Sequence, residues 1–417
     1  MPTRYSIENA SGEITAPPSK SSMQRAVAAA LLAKGRSVIH KPSFCDDSVA
    51  AMSMARSLGA VIKENQDFVE IEGGLLPSER IINCGESGLG IRMFSAIAAS
   101  SDRPITIEGT GSLRKRPMDM IEGPLRELGA DVSTNGGFLP VEVRGPLKGG
   151  RVVVDGSQSS QFLTGLLFAL PLAELDSIIE VVNPSSKPYI ELTLKVLTHF
   201  GIEVENHDFS LFRIRGGQQY RATEYTVEGD WSGASFLMAI AAASGSITIK
   251  NLDSHSLQAD RKMLEALRLA GCCVRTLADT VTVEKRELKS FTFNIADCPD
   301  LAPPLAVLAA ACDGTTVITG TERLAIKESN RGSNLEKNLN DLGAEVLFTG
   351  DRLVITGGKR LSHAMVHSSG DHRMAMAMAA ISVITDGGVT VDDVGCISKS
   401  YPDFPNDFIR VGGSIIT

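Results

Sequence analysis

Cations recur at one kind of place in this sequence. Lys20 and Arg25, Arg92, and Arg373 each fall at the start of a segment that then runs rich in Ala, Leu or Met. Others fall in connecting stretches: Arg114-Lys115-Arg116, Lys187, Lys327 with Arg331, and Lys399. Ser, Asp and Gly cluster beside them, as in PSKSS, GESG, GSQSSQ, GDWSG and SGDHR. The first turn of a helix offers unpaired N–H groups and the positive end of the helix dipole, which makes it an anion site. Arg adds a planar fork that grips carboxylate or phosphate, and Lys adds a point charge. The chain as a whole is acidic, with a net charge of −8. Cations gathered at such positions in an acidic chain point to small polyanionic ligands. The same charge, with only 5% aromatic residues, argues against a nucleic-acid partner and against a basic membrane surface.

Each feature also has a plain structural reading. The serines of SSQF can be helix caps. Arg114-Lys115-Arg116 can be a solvated loop, and Asp371-His372-Arg373 an ion pair at a helix start. Glu328 and Arg331 are three apart and can pair on one helix face. No Walker loop, HExxH or GxSxG is present, and GESGLG at Gly85–Gly90 has the wrong glycine order for a dinucleotide loop.

The elements that must hold these residues repeat. A helix-end signature, L-G-A-x-V or a degenerate form, appears around Gly59, Gly129, Gly201, Gly271, Gly343 and Gly412, at steps of about 70 residues. Each copy predicts a helix closed by a Gly and followed by a strand. Between these lie six copies of a second pattern: the polar cluster, an apolar Ala-rich helix, a turn and a β-branched strand. Their helices are apolar almost all round and are expected in the core. Solenoid repeats are usually shorter, about 20–45 residues, so six units of this size fit two globular domains of three better than an open stack. The expected domains are 19–228 and 1–18 plus 229–417, with crossings near Pro17–Pro18 and Gly229. The strand before Ala16 lacks a repeat of its own and is expected to pair into the second domain.

The bulk properties fit a globular chain. It has 417 residues, 43% apolar and 22% charged, ample for two cores. The first residues show no signal-peptide core, and no apolar run reaches the roughly 18 residues of a spanning helix, so a cytoplasmic location is expected. The seven cysteines are irregularly spaced and form no CxxC. They are expected to be reduced and mostly buried, without a zinc site.

Taken in order, the motifs resemble the enolpyruvylshikimate-phosphate synthase family from about Ser19 to Phe404. SKSSMQRA resembles the family's S-K-S-x-x-x-R-A, GESGLGIR its G-N-x-G-T-x-x-R, and KRPM its R-P loop. DGSQSSQFLTGLL resembles D-G-S-x-S-S-Q-F-x-x-x-L-L. SKPYIELTL, VEGDWSGASF, CPDLAPPLAVLAA, IKESNR, DHRMAMA and KSYPDF have close counterparts. The resemblance implies an α/β (α+β) fold: a two-domain inside-out α/β barrel with three repeated helix–strand units per domain and a cleft between the domains. It implies transfer of the enolpyruvyl group of phosphoenolpyruvate to shikimate 3-phosphate, with no metal or organic cofactor. It further implies a monomer with only small anionic partners.

The resemblance also assigns roles. Lys20, Ser21, Arg25, Ser159, Ser160, Gln161, Ser186, Tyr189, Asp300, Arg323 and Lys327 correspond to contacts with shikimate 3-phosphate. Lys20, Gly88, Arg116, Gln161, Arg331, Arg373 and Lys399 correspond to contacts with phosphoenolpyruvate. Asp300 matches the general base and Glu328 the acid at the methylene carbon, with Lys20 sharing in proton transfer. Gly88 leaves room for glyphosate, so sensitivity to that herbicide is expected.

Four positions depart from the pattern. Glu86 stands where Asn is common, Leu89 where Thr is common and Asn330 where Asp is frequent. Arg323 stands where some members have Asn. A Glu beside an anion site repels substrate unless it points away or bonds backbone.

Two alternatives remain at this point. The sister family that acts on UDP-N-acetylglucosamine usually has a reactive Cys before its Arg-Pro pair, and the corresponding GTGSLRKRP has none. A non-catalytic anion-binding repeat protein would be expected to have lost some of Lys20, Asp300, Glu328, Arg373 and Lys399, yet all are present.

Overall fold

The computed structural model describes residues 1–157 and 159–417; Gln158, within DGSQSSQF, lies outside the described residues. The chain forms two compact units, Pro18–Val227 and Met1–Pro17 with Glu228–Thr417.

Each unit is built on three buried helices. In the first they are Lys20–Leu32, Gly88–Ala98 and Gln161–Ala169. In the second they are Trp231–Ser244, Ala302–Ala311 and His372–Ile381. Trp231–Ser244 is buried at every position through Ala243. A helix without a polar stripe is stable only when covered on all sides. The small side chains of AIAAA and AVLAAA let the helices approach closely. Gly165 marks one such approach, since a Cβ there would stand 2.8 Å from Arg92 O and 2.9 Å from Met93 Cα.

Among the described residues the cover is three open four-stranded sheets per unit, all with one strand order. Ile81–Asn83 runs parallel to Ile105–Glu108, which pairs antiparallel with Phe138–Arg144, which pairs antiparallel with Asp131–Asn135. The strands are half-buried by alternation. In Phe68–Gly73, Val69 and Ile71 face inward and the charged neighbours face out.

The repeats are interleaved along the chain. Glu224–Thr226, the last strand of the first unit, pairs with Gly35–His40 of its first sheet. The N-terminal segment gives the second unit two strands rather than the single one expected. Thr3–Ser6 lies between Val389–Val391 and Ser414–Ile416, and Ser11–Thr15 runs parallel to Ser246–Lys250.

The six repeat glycines close six helices in the same way. Gly59, Gly129, Gly201, Gly271, Gly343 and Gly412 all have φ between +82° and +114°. In each, the Gly N–H bonds the carbonyl three residues back, and the next N–H bonds the carbonyl five back, as in Ala60 N to Ala55 O at 2.9 Å and Ala344 N to Leu339 O at 2.9 Å. This is the Schellman closure, and its left-handed residue favours Gly.

All seven cysteines are free thiols and five are buried, Cys45, Cys84, Cys272, Cys298 and Cys312. Among the described residues no helix is long and apolar enough to cross a membrane.

Candidate active site

In the first unit the polar clusters lie at the starts of the core helices, and carboxylates and carbonyls hold the cations in place. Ser19 caps Lys20–Leu32, and Ser87 caps Gly88–Ala98. Lys20 Nζ lies 2.9 Å from Asp47 Oδ2. Gln24 links the two helix starts, donating to Asp47 O at 2.9 Å and to Ser87 Oγ at 2.7 Å. Arg25 is buried and donates to Thr193 Oγ1 at 2.9 Å, Ser21 O at 2.9 Å and Tyr189 O at 3.2 Å. Burial lowers its guanidinium to about 10, against the pull of Tyr189 and Tyr225. It therefore stays charged at neutral pH while joining the Lys20–Leu32 helix to Lys187–His199. Thr193 extends the link to Thr164 Oγ1 at 3.1 Å.

Arg92, noticed in the sequence as a cation but given no role, proves to be a hub. Its Nη1 donates to Gly88 O at 3.1 Å and to Gln161 Oε1 at 3.0 Å, and Nη2 to Pro117 O at 3.1 Å. It thus fixes Gln161 against the Gly88 turn, over the close approach that Gly165 permits. Ser159 Oγ accepts from Gln161 N at 3.1 Å, and Ser160 is buried beside it. Ser186 opens its helix in the left-handed region at φ +53°.

Arg116 packs over Gly88. A Cβ on Gly88 would collide with Nη1 and stand 3.1 Å from Cζ. Glu86 turns to the neighbouring loop, where its Oε2 accepts from Ser112 N at 3.3 Å and Ser112 Oγ at 3.1 Å. The carboxylate therefore bonds backbone. Leu89 is buried. Of the other cations, Arg114 donates to Gly109 O at 3.0 Å, and Lys187 lies 3.7 Å from Asp208 and over the Phe209 ring.

In the second unit one guanidinium organises the charges. Arg331 Nε lies 2.7 Å from Asp371 Oδ2, Nη1 2.7 Å from Asp300 Oδ1 and Nη2 2.8 Å from Glu328 Oε2. Burial opposes its charge, but Asp371, Glu328 and Asp300 outweigh burial and raise its proton affinity. Asp300 also receives Arg373 Nη2 at 3.1 Å and Lys327 Nζ at 3.5 Å. Burial disfavours the Asp300 carboxylate, yet Arg373, Lys327 and Arg331 hold it well below the usual range. Burial brings Lys327 down to about 8, offset in part by Asp300.

The supporting turns explain the arrangement. Asp371 caps His372–Ile381 through Arg373 N at 2.9 Å, so one carboxylate fixes both the helix start and Arg331. Asn330 caps Arg331–Asp341 through Ser333 N at 3.2 Å, the work an Asp would do at that position. Arg323 bonds the carbonyl of Ala296. Lys399 is buried at the end of the short turn Gly395–Lys399.

Two of the plain readings of the sequence are seen in the fold. Glu328 and Arg331 do pair three apart, and Asp371 does serve a helix start, but both belong to a larger cluster. Missed in the sequence were Asp47 as the partner of Lys20, Asp371 as the partner of Arg331, and Thr193 behind Arg25. A lone Asp or Thr carries no local signal of a contact made with another segment.

Helix-start cations on a duplicated six-sheet fold define a binder of small anions with carboxylates set among its cations. The chain matches the family EPSP synthase (3-phosphoshikimate 1-carboxyvinyltransferase) over residues 5–408. A 3-phosphoshikimate 1-carboxyvinyltransferase of Thermococcus kodakarensis is 41% identical over 405 residues, covering 97% of this chain and 98% of that one. The enzyme of the same name from Methanocorpusculum labreanum is 39% identical over 410 residues, covering 97% of each. An EPSP synthase structure from Acinetobacter baumannii aligns over 100% of both chains with TM-score 0.85 and 25% identity. This chain belongs to the EPSP synthase family.

Proposed function

We propose that the chain transfers the enolpyruvyl group of phosphoenolpyruvate to the 5-hydroxyl of shikimate 3-phosphate and releases phosphate, a step toward aromatic amino acids. Family membership over nearly the whole chain supports the reaction class. The observation that best supports the reading is that Arg331 draws together Asp300 and Glu328, the two carboxylates to which the resemblance assigns opposite proton transfers.

Both substrates bear phosphate and carboxylate, so cations must dominate their binding. In this reading Lys20, Ser21, Arg25, Ser159, Ser160, Gln161, Ser186, Tyr189, Arg323 and Lys327 bind shikimate 3-phosphate. Lys20, Gly88, Arg116, Gln161, Arg331, Arg373 and Lys399 serve phosphoenolpyruvate. The 5-hydroxyl oxygen attacks C2 of phosphoenolpyruvate and gives its proton to Asp300. The methylene carbon takes a proton from Glu328 and becomes a methyl group, completing a tetrahedral adduct. Return of a methyl proton to Glu328 reforms the double bond as the C2–O bond to phosphate breaks, and the hydroxyl proton held by Asp300 passes to the released phosphate, which restores both carboxyl groups. Lys20, Arg373 and Lys399 stabilise the departing charge.

Asp300 with Arg373, Lys327 and Arg331 around it is a weak base. Anionic substrates compete for those same cations. Their arrival returns basicity to Asp300 when it is needed.

Phosphate release from chelator-treated protein tests the assignment. Release that requires shikimate 3-phosphate and is lost in Lys20→Ala and Asp300→Ala supports it. Release only with UDP-N-acetylglucosamine overturns it in favour of the sister family, and silence with both acceptors overturns it altogether.

A further inference from the structure

Thr193 carries a buried hydroxyl that the mechanism above does not use. It is 0% exposed and sits in the second turn of the helix Lys187–His199. Its Oγ1 donates to Tyr189 O at 2.9 Å and accepts from Arg25 Nε at 2.9 Å. Thr164 Oγ1 lies 3.1 Å away. A hydroxyl has a single proton to give and two lone pairs. That proton goes to Tyr189, so Thr164 is the donor in the remaining bond and the Thr193 hydroxyl is fully engaged.

These bonds close a ring. Arg25 Nη2 donates to the same Tyr189 carbonyl at 3.2 Å, and Nη1 donates to Ser21 O at 2.9 Å. Ser21, Arg25 and Tyr189, all assigned above to shikimate 3-phosphate, thus meet around one threonine hydroxyl. Among the described residues each terminal nitrogen of Arg25 makes one of these bonds and carries a second N–H, left for a ligand oxygen. The guanidinium is planar and rigid, so its Nε bond to Thr193 fixes where those two groups point. The helix start itself is held without Thr193. Ser22 Oγ lies 2.8 Å from Tyr225 Oη, and Gln24 donates to Asp47 O and Ser87 Oγ. Loss of the Thr193 hydroxyl therefore releases the Arg25 side chain and leaves its helix in place.

We propose that Thr193 is a positioning residue for shikimate 3-phosphate, its hydroxyl setting the plane of the Arg25 guanidinium and aiming the two remaining N–H groups at an anionic oxygen of that substrate. The proposal rests on the role given above to Arg25. Charge alone would attract any anion, whereas a fixed fork selects one geometry. Thr164 lies in the same buried cluster but bonds Thr193 rather than Arg25, so it separates aim from packing.

The test is isothermal titration with shikimate 3-phosphate, together with kcat and the KM of each substrate in phosphate release. It compares the wild type with Thr193→Val, Thr193→Ser and Thr164→Val, with folding checked by circular dichroism. Val keeps the shape of Thr without the hydroxyl. Thr193→Val should weaken shikimate 3-phosphate binding by about tenfold, the effect of roughly one charge-assisted hydrogen bond. The KM for shikimate 3-phosphate should rise by the same factor, with kcat and the KM for phosphoenolpyruvate changed by less than about twofold. Thr193→Ser keeps the hydroxyl and should bind as the wild type does. Thr164→Val loses a buried hydroxyl and should also bind as the wild type does, whatever its melting temperature. Wild-type affinity in Thr193→Val overturns the proposal. A loss in Thr193→Ser or Thr164→Val equal to that in Thr193→Val also overturns it, because it assigns the effect to packing. If Thr193→Val does not fold, Thr193→Cys takes its place with the same outcomes, since a thiol is a weak acceptor. A wild type that neither binds shikimate 3-phosphate nor releases phosphate with it overturns the functional reading and this proposal with it, and that result is apparent before any variant is compared.

Discussion

Arg331 donates to both oxygens of Asp371, Nε to Oδ2 at 2.7 Å and Nη2 to Oδ1 at 3.3 Å, with both side chains sealed from water. Asp371 also caps the His372–Ile381 helix through Arg373 N. Two of the five cations proposed for phosphoenolpyruvate are thereby tied to one carboxylate, Arg331 by its guanidinium and Arg373 by its backbone N–H.

Asp371→Ala should be costly for that reason. It leaves a buried guanidinium short of one partner, worth about 3–5 kcal/mol, and removes a helix cap, worth about 1 kcal/mol. Urea unfolding should show a loss of stability near the sum of the two. Phosphate release by the folded fraction should fall about a hundredfold, the effect of misplacing reacting groups by roughly an ångström. Wild-type stability in this variant would refute the idea that Asp371 compensates Arg331.

Gly88→Ala should separate binding from folding. The added Cβ meets the end of the Arg116 side chain rather than backbone. Arg116 can swing away, so the melting temperature should change little. The KM for phosphoenolpyruvate should rise by about tenfold, corresponding to about 1.4 kcal/mol of lost binding, with a smaller effect on shikimate 3-phosphate. Equal effects on both substrates would count against a specific role for Arg116.

The repeat glycines are legible in the sequence, because six left-handed helix ends impose one residue type at a regular spacing along the chain. The core helices are legible for a similar reason, since apolar residues all round admit only burial. The partners of the cations are not. Lys20 meets Asp47 and Arg331 meets Asp371 through contacts with other segments, and neither Asp has a neighbour pattern of its own. Glu86 is legible as a departure, but its resolution depends on a loop conformation at Gly111 and Ser112 that only the fold defines.

Two of those glycines give a graded test. Gly343 has φ +91° and open space around a Cβ, so Gly343→Ala should cost only the backbone strain, about 1–2 kcal/mol. Gly59 has φ +114° and a Cβ there would stand 2.5 Å from Leu76 O. Gly59→Ala should cost more, with about 1–3 kcal/mol of overpacking added. Chemical denaturation of the two variants compares them directly, and equal losses would show that the contact with Leu76 is immaterial.

Lys327 should make activity and stability respond oppositely to alkali. Its folded value of about 8 lies below the ordinary 10.5. Between those values the unfolded chain holds more protons at this site, so the Lys327 contribution to stability rises as pH increases. Its charge, and with it the hold on shikimate 3-phosphate, is lost over the same range. Isothermal titration should show affinity falling above about pH 8 in the wild type. Lys327→Met should bind more weakly throughout and lose this part of the pH dependence. A Lys327→Met variant with the full wild-type alkaline loss would assign that loss to another group.

The most direct test of the central claim is to run the reaction in deuterium oxide and examine the product by mass spectrometry and NMR. Addition puts a solvent deuteron on the methylene carbon, and elimination then removes one of three hydrogens from the resulting methyl group. The account predicts one phosphate released for each enolpyruvyl product, with deuterium in the product's vinyl methylene. Product without deuterium in that methylene, or phosphate released without a shikimate 3-phosphate adduct, would contradict it.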